Sequence, residues 1–153
     1  MMDQLPKRKY LRLPLPMYAN PAHVFFITID TPHRQRLFDQ PDFNRAVIAE
    51  LERLAREKWC PVRIYCLMPT HLHLVMSAGS ISVVSWIALF KQHTQYLASR
   101  RGIGRLWQRS FYDHRLRPGE LEANTIEYAR LNPVRAGLVR HPDDWPWTGS
   151  VSL

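Results

Sequence analysis

Hydrophobic and polar residues follow two different repeats along this chain. Alternating or β-branched runs predict four strands, at 23–30, 61–68, 71–78 and 106–117, the last interrupted near 108–109. A repeat of about 3.6 residues predicts amphipathic helices at 42–58, 83–100 and 121–131. Ser82 is a typical N-cap for the second helix, and a tight turn at 69–70 makes the second and third strands a hairpin.

The order of these elements is that of the ferredoxin-like, split β-α-β fold. It predicts an α+β protein with an antiparallel sheet, helices on one face and an additional C-terminal helix that carries Tyr128. Residues 1–22 are basic and rich in proline, which predicts an extended arm. Residues 23–140 form the predicted domain, and residues 141–153, rich in tryptophan and proline, form a wrapped tail.

Composition and length narrow the class of protein. The chain has 153 residues and is 46% hydrophobic, which is the size and composition of a single globular domain. Its longest apolar run is about six residues, far too short to span a bilayer, and its start has no apolar signal segment. Its two cysteines lack the spacing of a zinc site. These features predict a cytoplasmic protein without a membrane partner.

The charge of the chain predicts a polyanionic partner. Lysine and arginine outnumber aspartate and glutamate by 21 to 13, which gives a net charge of +8. Most of these basic residues are arginines, whose planar guanidinium suits phosphate, and the excess is largest in residues 90–140. Nucleic acid is therefore the favoured partner.

Two histidines supply the first candidate chemistry. His71 and His73 lie on the same face of a predicted strand, about 7 Å apart at Cα, so that both imidazoles can reach one metal ion. The alternative is a polar strand face that happens to carry two histidines. Tyr128 and Asn132 are four residues apart and share a helix face.

Together these four residues would suit cleavage of a phosphodiester. A divalent ion held by two imidazoles and a carboxamide oxygen would orient the phosphate, and a tyrosine phenolate would attack phosphorus. A free tyrosine is only about 0.1% ionised at pH 7. Tyr128 could equally be a packing residue, and Tyr96 and Tyr112 compete with it as nucleophile. The neighbouring pair Asp113–His114 is either a set of supporting partners or a surface pair.

Longer motifs resemble one protein family. His71-Leu72-His73 resembles the HUH motif (histidine, bulky apolar residue, histidine) of single-strand DNA nickases. Residues 106–114 (LWQRSFYDH), 128–139 (YARLNPVRAGLV) and 144–147 (DWPW) resemble the REP-associated tyrosine transposases, where REP denotes a repetitive extragenic palindrome. These are relatives of the single-tyrosine insertion-sequence transposases. The HUH triplet alone is weakly specific, whereas all the motifs in this order are highly specific.

The resemblance implies roles for individual residues. His71, His73 and Asn132 would be metal ligands, and Tyr128 would be the nucleophile. Insertion-sequence relatives often have glutamine where this chain has Asn132. The family implies Mg²⁺ or Mn²⁺, whereas the ligand types alone would also suit Zn²⁺ or Ni²⁺.

The resemblance also implies a substrate, a reaction and an assembly. The substrate would be single-stranded DNA with a hairpin, cut and transferred through a covalent 5′-phosphotyrosine in the bacterial cytoplasm, in association with the nucleoid, by a monomer or homodimer. Trp107, Phe111, Tyr112 and Trp147 are candidates for base stacking, although core packing is favoured for Phe111. The candidate DNA-binding residues are Lys7, Arg8, Lys9, Arg12, Arg100, Arg101, Arg105, Trp107, Arg109, Arg117, Arg130 and Arg135.

Two other functions remain open from the sequence. One is a non-catalytic protein that binds structured single strands, which would need no metal and would form no covalent adduct. The other is an HUH replication initiator, which shares the histidine pair. No helicase or oligomerisation domain is visible in a chain of this length, which argues against the initiator.

Overall fold

A computed structural model describes residues 11–153 as one α+β fold. Its elements in chain order are α1 (Leu15–Ala19), β1 (Phe25–Asp30), α2 (Pro41–Glu57), β2 (Val62–Met68), β3 (His71–Met76), α3 (Val83–Arg100), β4 (Tyr112–Arg115), α4 (Glu122–Arg130), α5 (Asn132–Arg135) and β5 (Thr148–Val151). Short 3-10 turns lie at Pro32–Arg34 and Pro142–Asp144. No helix in this described part of the chain is long and apolar enough to cross a membrane.

The five strands form one antiparallel sheet in the order β4-β1-β3-β2-β5. The register places Asp30 opposite His71 and Thr28 opposite His73. On the other side of β1, Tyr112 lies opposite Thr28. The predicted ferredoxin-like α+β fold is confirmed, and β5 extends the sheet beyond β2.

The two faces of the sheet pack against different helices. The core face carries Leu72 and Leu74 and packs against α2 and α3 in the main hydrophobic core. Side chains alternate along a strand, so His71 and His73 point to the opposite face, which we call the site face. A smaller apolar cluster that includes Val75 and Ala129 joins α4 to the site face. The additional helix thus lies on the face opposite α2 and α3.

Local sequence signals explain the two core helices. Pro41 stands at the first position of α2, where its missing N–H costs nothing, and Phe43, Val47 and Leu51 form the buried stripe. Ser82 caps α3 because its side chain accepts a hydrogen bond from the Ser85 N–H, as predicted.

Three sequence predictions were wrong in detail. The predicted extended arm contains α1, and its Tyr18 is fully buried, with the hydroxyl donating to Asp113 Oδ2 at 2.9 Å. The predicted wrapped tail contains β5, which pairs with β2. The predicted fourth strand shortens to Tyr112–Arg115, because Leu106 and Trp107 fill the core instead of pairing with β1.

A half-buried lysine holds the connection that precedes β4. Lys91 Nζ donates to the carbonyl oxygens of Gln108, Arg109 and Ser110 at 2.8, 3.2 and 3.0 Å. Burial lowers the pKa of Lys91 to about 8. One side chain from α3 therefore fixes the backbone of this connection.

Candidate active site

The two histidines converge on the site face. His71 Nε2 and His73 Nε2 are 3.1 Å apart, and each side chain is only 8% exposed. The opposite ring nitrogens are both held by threonine hydroxyls: Thr70 Oγ1 lies 2.9 Å from His71 Nδ1, and Thr28 Oγ1 lies 3.0 Å from His73 Nδ1. Partners at Nδ1 orient both rings, and when Nδ1 donates to the threonine oxygen, Nε2 carries the lone pair that a metal ion needs.

The surroundings keep both imidazoles neutral. Burial lowers the pKa of His71, and the nearby Asp30 carboxylate partly opposes this effect. Burial lowers the pKa of His73 as well, and the neighbouring His71 lowers it further. Neutral imidazole is the form that binds metal ions, so the lowered pKa values favour metal binding at neutral pH.

Asn132 supplies an unsatisfied oxygen beside this pair. It is the first residue of α5, and its carboxamide lies near enough to His71 to raise the pKa of that residue. Its Oδ1 atom is buried and has no partner in hydrogen-bonding geometry. A buried acceptor without a partner costs free energy, which a bound cation would recover.

This donor set fits a divalent cation. Two nitrogens 3.1 Å apart can share one ion at metal–nitrogen distances of about 2.1 Å. Within residues 11–153, no group of three His, Cys, Asp or Glu side chains is arranged to hold a metal ion. The Asn132 carboxamide, whose buried Oδ1 lacks a partner, is a candidate third donor.

Tyr128 reaches the same site from α4. Its side chain is 55% exposed and meets the ring of Phe26 edge-on, with centroids 6.1 Å apart. Phe26 in turn stacks on His73 at 5.2 Å. The Arg135 guanidinium lies 3.8 Å from the centre of the Tyr128 ring and donates to the Tyr128 carbonyl at 2.6 Å. One aromatic ring thus separates the tyrosine from the histidine pair of its own chain.

The competing tyrosines lie elsewhere. Tyr96 belongs to α3, across the sheet from the histidines, and its hydroxyl accepts a hydrogen bond from Arg100. Tyr112 lies on the site face, in the same cross-strand row as Thr28 and His73. Position therefore removes Tyr96 as a candidate and leaves Tyr112 as the alternative to Tyr128.

Asp113 and His114 do not support the histidine pair. Asp113 is buried on the core side and accepts a hydrogen bond from Tyr18. His114 lies 3.0 Å from a Glu120 carboxylate oxygen. The sequence left open whether these two residues support the metal site or form a surface pair; in the structure Asp113 points to the core face, and His114, on the site face opposite Phe26, is paired with Glu120.

The candidate DNA-binding residues differ in how far the protein itself occupies their side chains. Lys7, Arg8 and Lys9 lie outside the described residues. Arg105 and Arg109 have no ion-pair partner within residues 11–153, whereas Arg130 is paired with Glu127 and Asp143. The paired guanidinium is the less available of these to a phosphate.

The remaining arginine candidates make hydrogen bonds or ring contacts within the protein. Arg12 donates to the Asp113 carbonyl, Arg100 and Arg101 lie over the rings of Tyr96 and Phe43, and Arg135 lies over Tyr128. The Arg117 backbone N–H donates to Glu120.

Trp107 does not form a stacking surface. It is 4% exposed, packs between Phe38 and Phe90, and its Nε1–H donates to Thr94 Oγ1 at 2.8 Å. Its assignment as a DNA-binding residue was wrong, because the aromatic side chain completes the core beneath α3. Phe111 packs against the same core, as the sequence favoured.

Sequence reasoning missed several residues of the site. Thr28 and Thr70 orient the histidines, and Phe26 connects His73 to Tyr128. Asp30 and Arg34 act on the histidine pKa values through their charges. Alternation along the first strand places Phe26, Thr28 and Asp30 on one face, but only the strand register shows that this face carries the histidines.

Comparisons with known proteins agree with the motifs. No protein-family model matches the chain. It is 26% identical over 129 residues to the REP-associated tyrosine transposase of Escherichia coli (strain K12), covering 81% of this chain and 74% of that protein. It is 32% identical over 97 residues to a Haemophilus influenzae protein named after the same family, covering 54% of each.

A solved structure shares the fold. It is that of a REP-associated tyrosine transposase bound to a REP hairpin, and the match has a TM-score of 0.70 at 22% identity. The match covers 92% of this chain and 81% of that one.

Proposed function

From the relationship of this chain to the REP-associated tyrosine transposases, we propose that it is a metal-dependent endonuclease and strand transferase for single-stranded DNA. Its substrate would be hairpin-forming repetitive palindromic DNA, the ligand class named for the structurally similar transposase. The observation that carries this proposal is the convergence of His71 Nε2 and His73 Nε2 at 3.1 Å, one aromatic ring away from Tyr128.

His71, His73 and Asn132 would hold the metal ion. A bound Mg²⁺ or Mn²⁺ supplies polarisation of a phosphate oxygen and orientation of the phosphodiester. The choice of these two ions follows the family resemblance, since the nitrogen donors alone would accept others. Thr28 and Thr70 keep the two imidazoles in the ligating orientation.

Tyr128 would carry the covalent step. Its phenolic oxygen attacks phosphorus and forms an O–P bond while the bond from phosphorus to the 3′ oxygen breaks. The phenol loses its proton to solvent, and the departing oxygen takes up a proton to become a 3′-OH. The product is a 5′-phosphotyrosine, which keeps a phosphoester that a second 3′-OH can attack. That reverse attack rejoins a strand and regenerates the tyrosine.

Arg135 and the unpaired arginines would contact the phosphates. The Arg135 guanidinium already lies over the Tyr128 ring and has no carboxylate partner within residues 11–153. In that part of the chain Arg105 and Arg109 likewise have no ion-pair partner. Their charges are therefore available to the phosphates of a single strand. Because the tyrosine packs near the histidines of its own chain, one chain contains all four proposed residues. The reaction would take place in the cytoplasm, where the DNA is.

The decisive experiment uses a library of DNA hairpins with randomised single-stranded flanks. We expect the wild-type protein with Mg²⁺ or Mn²⁺ to form an adduct that survives denaturing electrophoresis, and Tyr128→Phe to form none. Tyr96→Phe is the matched control, since that tyrosine is equally exposed but distant from the site, and it should behave as wild type.

Other outcomes would contradict parts of the proposal. Hairpin binding that is insensitive to EDTA, with no adduct from any library member, would indicate the non-catalytic binding protein. An adduct that persists in Tyr128→Phe and disappears in Tyr112→Phe would show that Tyr112 of β4 is the nucleophile.

A further inference from the structure

The connection between β1 and α2 is bound to the turn that leads into His71. The Thr31 N–H donates to the Thr70 carbonyl at 3.0 Å, and the Phe38 N–H donates to the Pro69 carbonyl at 3.2 Å. Thr31 is fully buried, and its hydroxyl is hydrogen-bonded to the carbonyl oxygens of Gln35 and Thr70. The backbone that carries Arg34 is therefore fixed beside the histidine strand.

Two residues in this connection have an unusual backbone. His33 and Arg34 have φ angles of 53° and 51°, in the left-handed region that residues other than glycine rarely adopt. Such a conformation costs free energy and persists only where the surrounding structure enforces it. Strained backbone of this kind is frequent where a ligand is held, which makes Arg34 a candidate for binding.

The charge of Arg34 reaches the histidines. The Arg34 N–H donates to the Thr31 carbonyl at 3.2 Å, and Thr31 is itself bound to Thr70, the residue that precedes His71. In agreement with this position, the positive charge of Arg34 lowers the pKa of both His71 and His73. The side chain is exposed and forms no ion pair with any residue of the described part of the chain. Two residues later, Arg36 is paired with Asp39 at 3.2 Å. Arg34 and a metal ion held by the imidazoles would repel each other, and a bound phosphate would relieve that repulsion in addition to the Asp30 carboxylate opposite His71.

We propose that Arg34 is a phosphate-binding residue of the site, holding a backbone phosphate of the single strand at the histidine pair from the β1 side. Arg135 approaches the same pair from the α5 side, next to Tyr128. The two guanidinium groups would hold neighbouring phosphates and thereby align the phosphorus that Tyr128 attacks. This inference rests on the function proposed above.

The test compares Arg34→Gln with Arg36→Gln on a hairpin selected with the wild-type protein. Arg36 is the matched control because it is exposed in the same connection and already paired with a carboxylate. We expect Arg34→Gln to lower kcat/KM for adduct formation by about tenfold to hundredfold, the range for losing a charge-assisted hydrogen bond. Arg36→Gln should change it less than about twofold, and Arg34→Lys should recover part of the loss.

A scan of the DNA backbone identifies the contact. Replacing single phosphates of the selected hairpin by neutral methylphosphonates should reveal a position at which wild type loses rate and Arg34→Gln loses no more. A purely structural role for Arg34 would give equal losses in both proteins at every position and would overturn the inference. Equal rates for Arg34→Gln and Arg36→Gln would overturn it too, while leaving the proposed function intact. Failure of the wild-type protein to form any adduct would instead reject the proposed function.

Discussion

Leu72 and Leu74 are fully buried beneath α2 and α3, whereas His71 and His73, on the same strand, face α4. The core face is closed by apolar contacts. On the site face, the Nδ1 atoms of both histidines contact threonine hydroxyls, while their Nε2 atoms face each other at 3.1 Å. Stability therefore depends mainly on one set of alternating residues and chemistry on the other.

Individual arginines and lysines also differ in whether the protein itself provides their partners. On the core side, Arg53 of α2 is paired with Glu50 and Glu57, and Lys91 of α3 is surrounded by carbonyl oxygens. On the site side, Arg34 and Arg135 have no carboxylate partner within residues 11–153. Charges that the protein neutralises itself support the fold, and charges left without a counter-ion are available to a phosphate.

The largest expected effect comes from adjacent substitutions on β3. His71→Ala should abolish adduct formation, because it removes a proposed ligand, with a smaller loss of stability than Leu72→Ala. Leu72→Ala should lower the free energy of unfolding by about 2–5 kcal/mol, because it leaves a cavity in the core. Chemical denaturation and adduct assays of both variants check this. A larger stability loss for His71→Ala than for Leu72→Ala would contradict the difference between the two faces of β3.

Next in size is a change on the core side of the molecule. Lys91→Met should lower the free energy of unfolding by about 1–3 kcal/mol, because the carbonyls of residues 108–110 lose their donor. Thermal unfolding at neutral pH measures this.

The same variant tests a pH dependence. The folded pKa of Lys91, about 8, lies below its ordinary value of 10.5, so the unfolded chain binds more protons between these values. Stability from this residue should therefore rise with pH across that window, by at most about 3 kcal/mol, and Lys91→Met should lack the rise. An identical pH profile in both proteins would contradict the assignment.

The smallest expected effect separates paired from unpaired arginines. If about six phosphates are neutralised, log affinity for a single strand should fall with log salt at a slope near −4. Arg109→Gln should reduce the size of that slope by about 0.7, since its charge has no partner. Arg130→Gln should change the slope less, because Glu127 and Asp143 already neutralise that guanidinium. Fluorescence anisotropy across a salt series distinguishes the two.

Local signals in the sequence predicted much of the fold. Helix α3 has its predicted bounds because Ser82 caps it and its apolar stripe is regular. Alternation placed His71 and His73 on one face. Strand β5 was missed because a four-residue edge strand with Gly149 lacks that alternation; the glycine instead lets the Tyr65 ring approach closely.

The site was predicted less completely than the fold. His71, His73, Tyr128 and Asn132 could be predicted as site residues because their spacing and the flanking motifs indicate them. The threonines, Phe26 and Arg34 were missed, because their roles arise from cross-strand register and from a connection folded against a distant turn. Trp107 shows the reverse error: an aromatic residue between arginines resembles a stacking platform, yet its ring completes the core.

Tyr128, Asn132 and Arg135 all belong to one short stretch, in which α4 passes through Leu131 directly into α5. The sheet contributes the histidines, and this stretch contributes the proposed nucleophile, the proposed third oxygen donor and a cation. Because Arg135 also bonds to the Tyr128 backbone, the stretch is tied to itself as well as to the sheet. If this stretch moves relative to the sheet, Tyr128, Asn132 and Arg135 would consequently move together. A state in which Tyr128 lies at the histidine pair and Asn132 does not is therefore disfavoured.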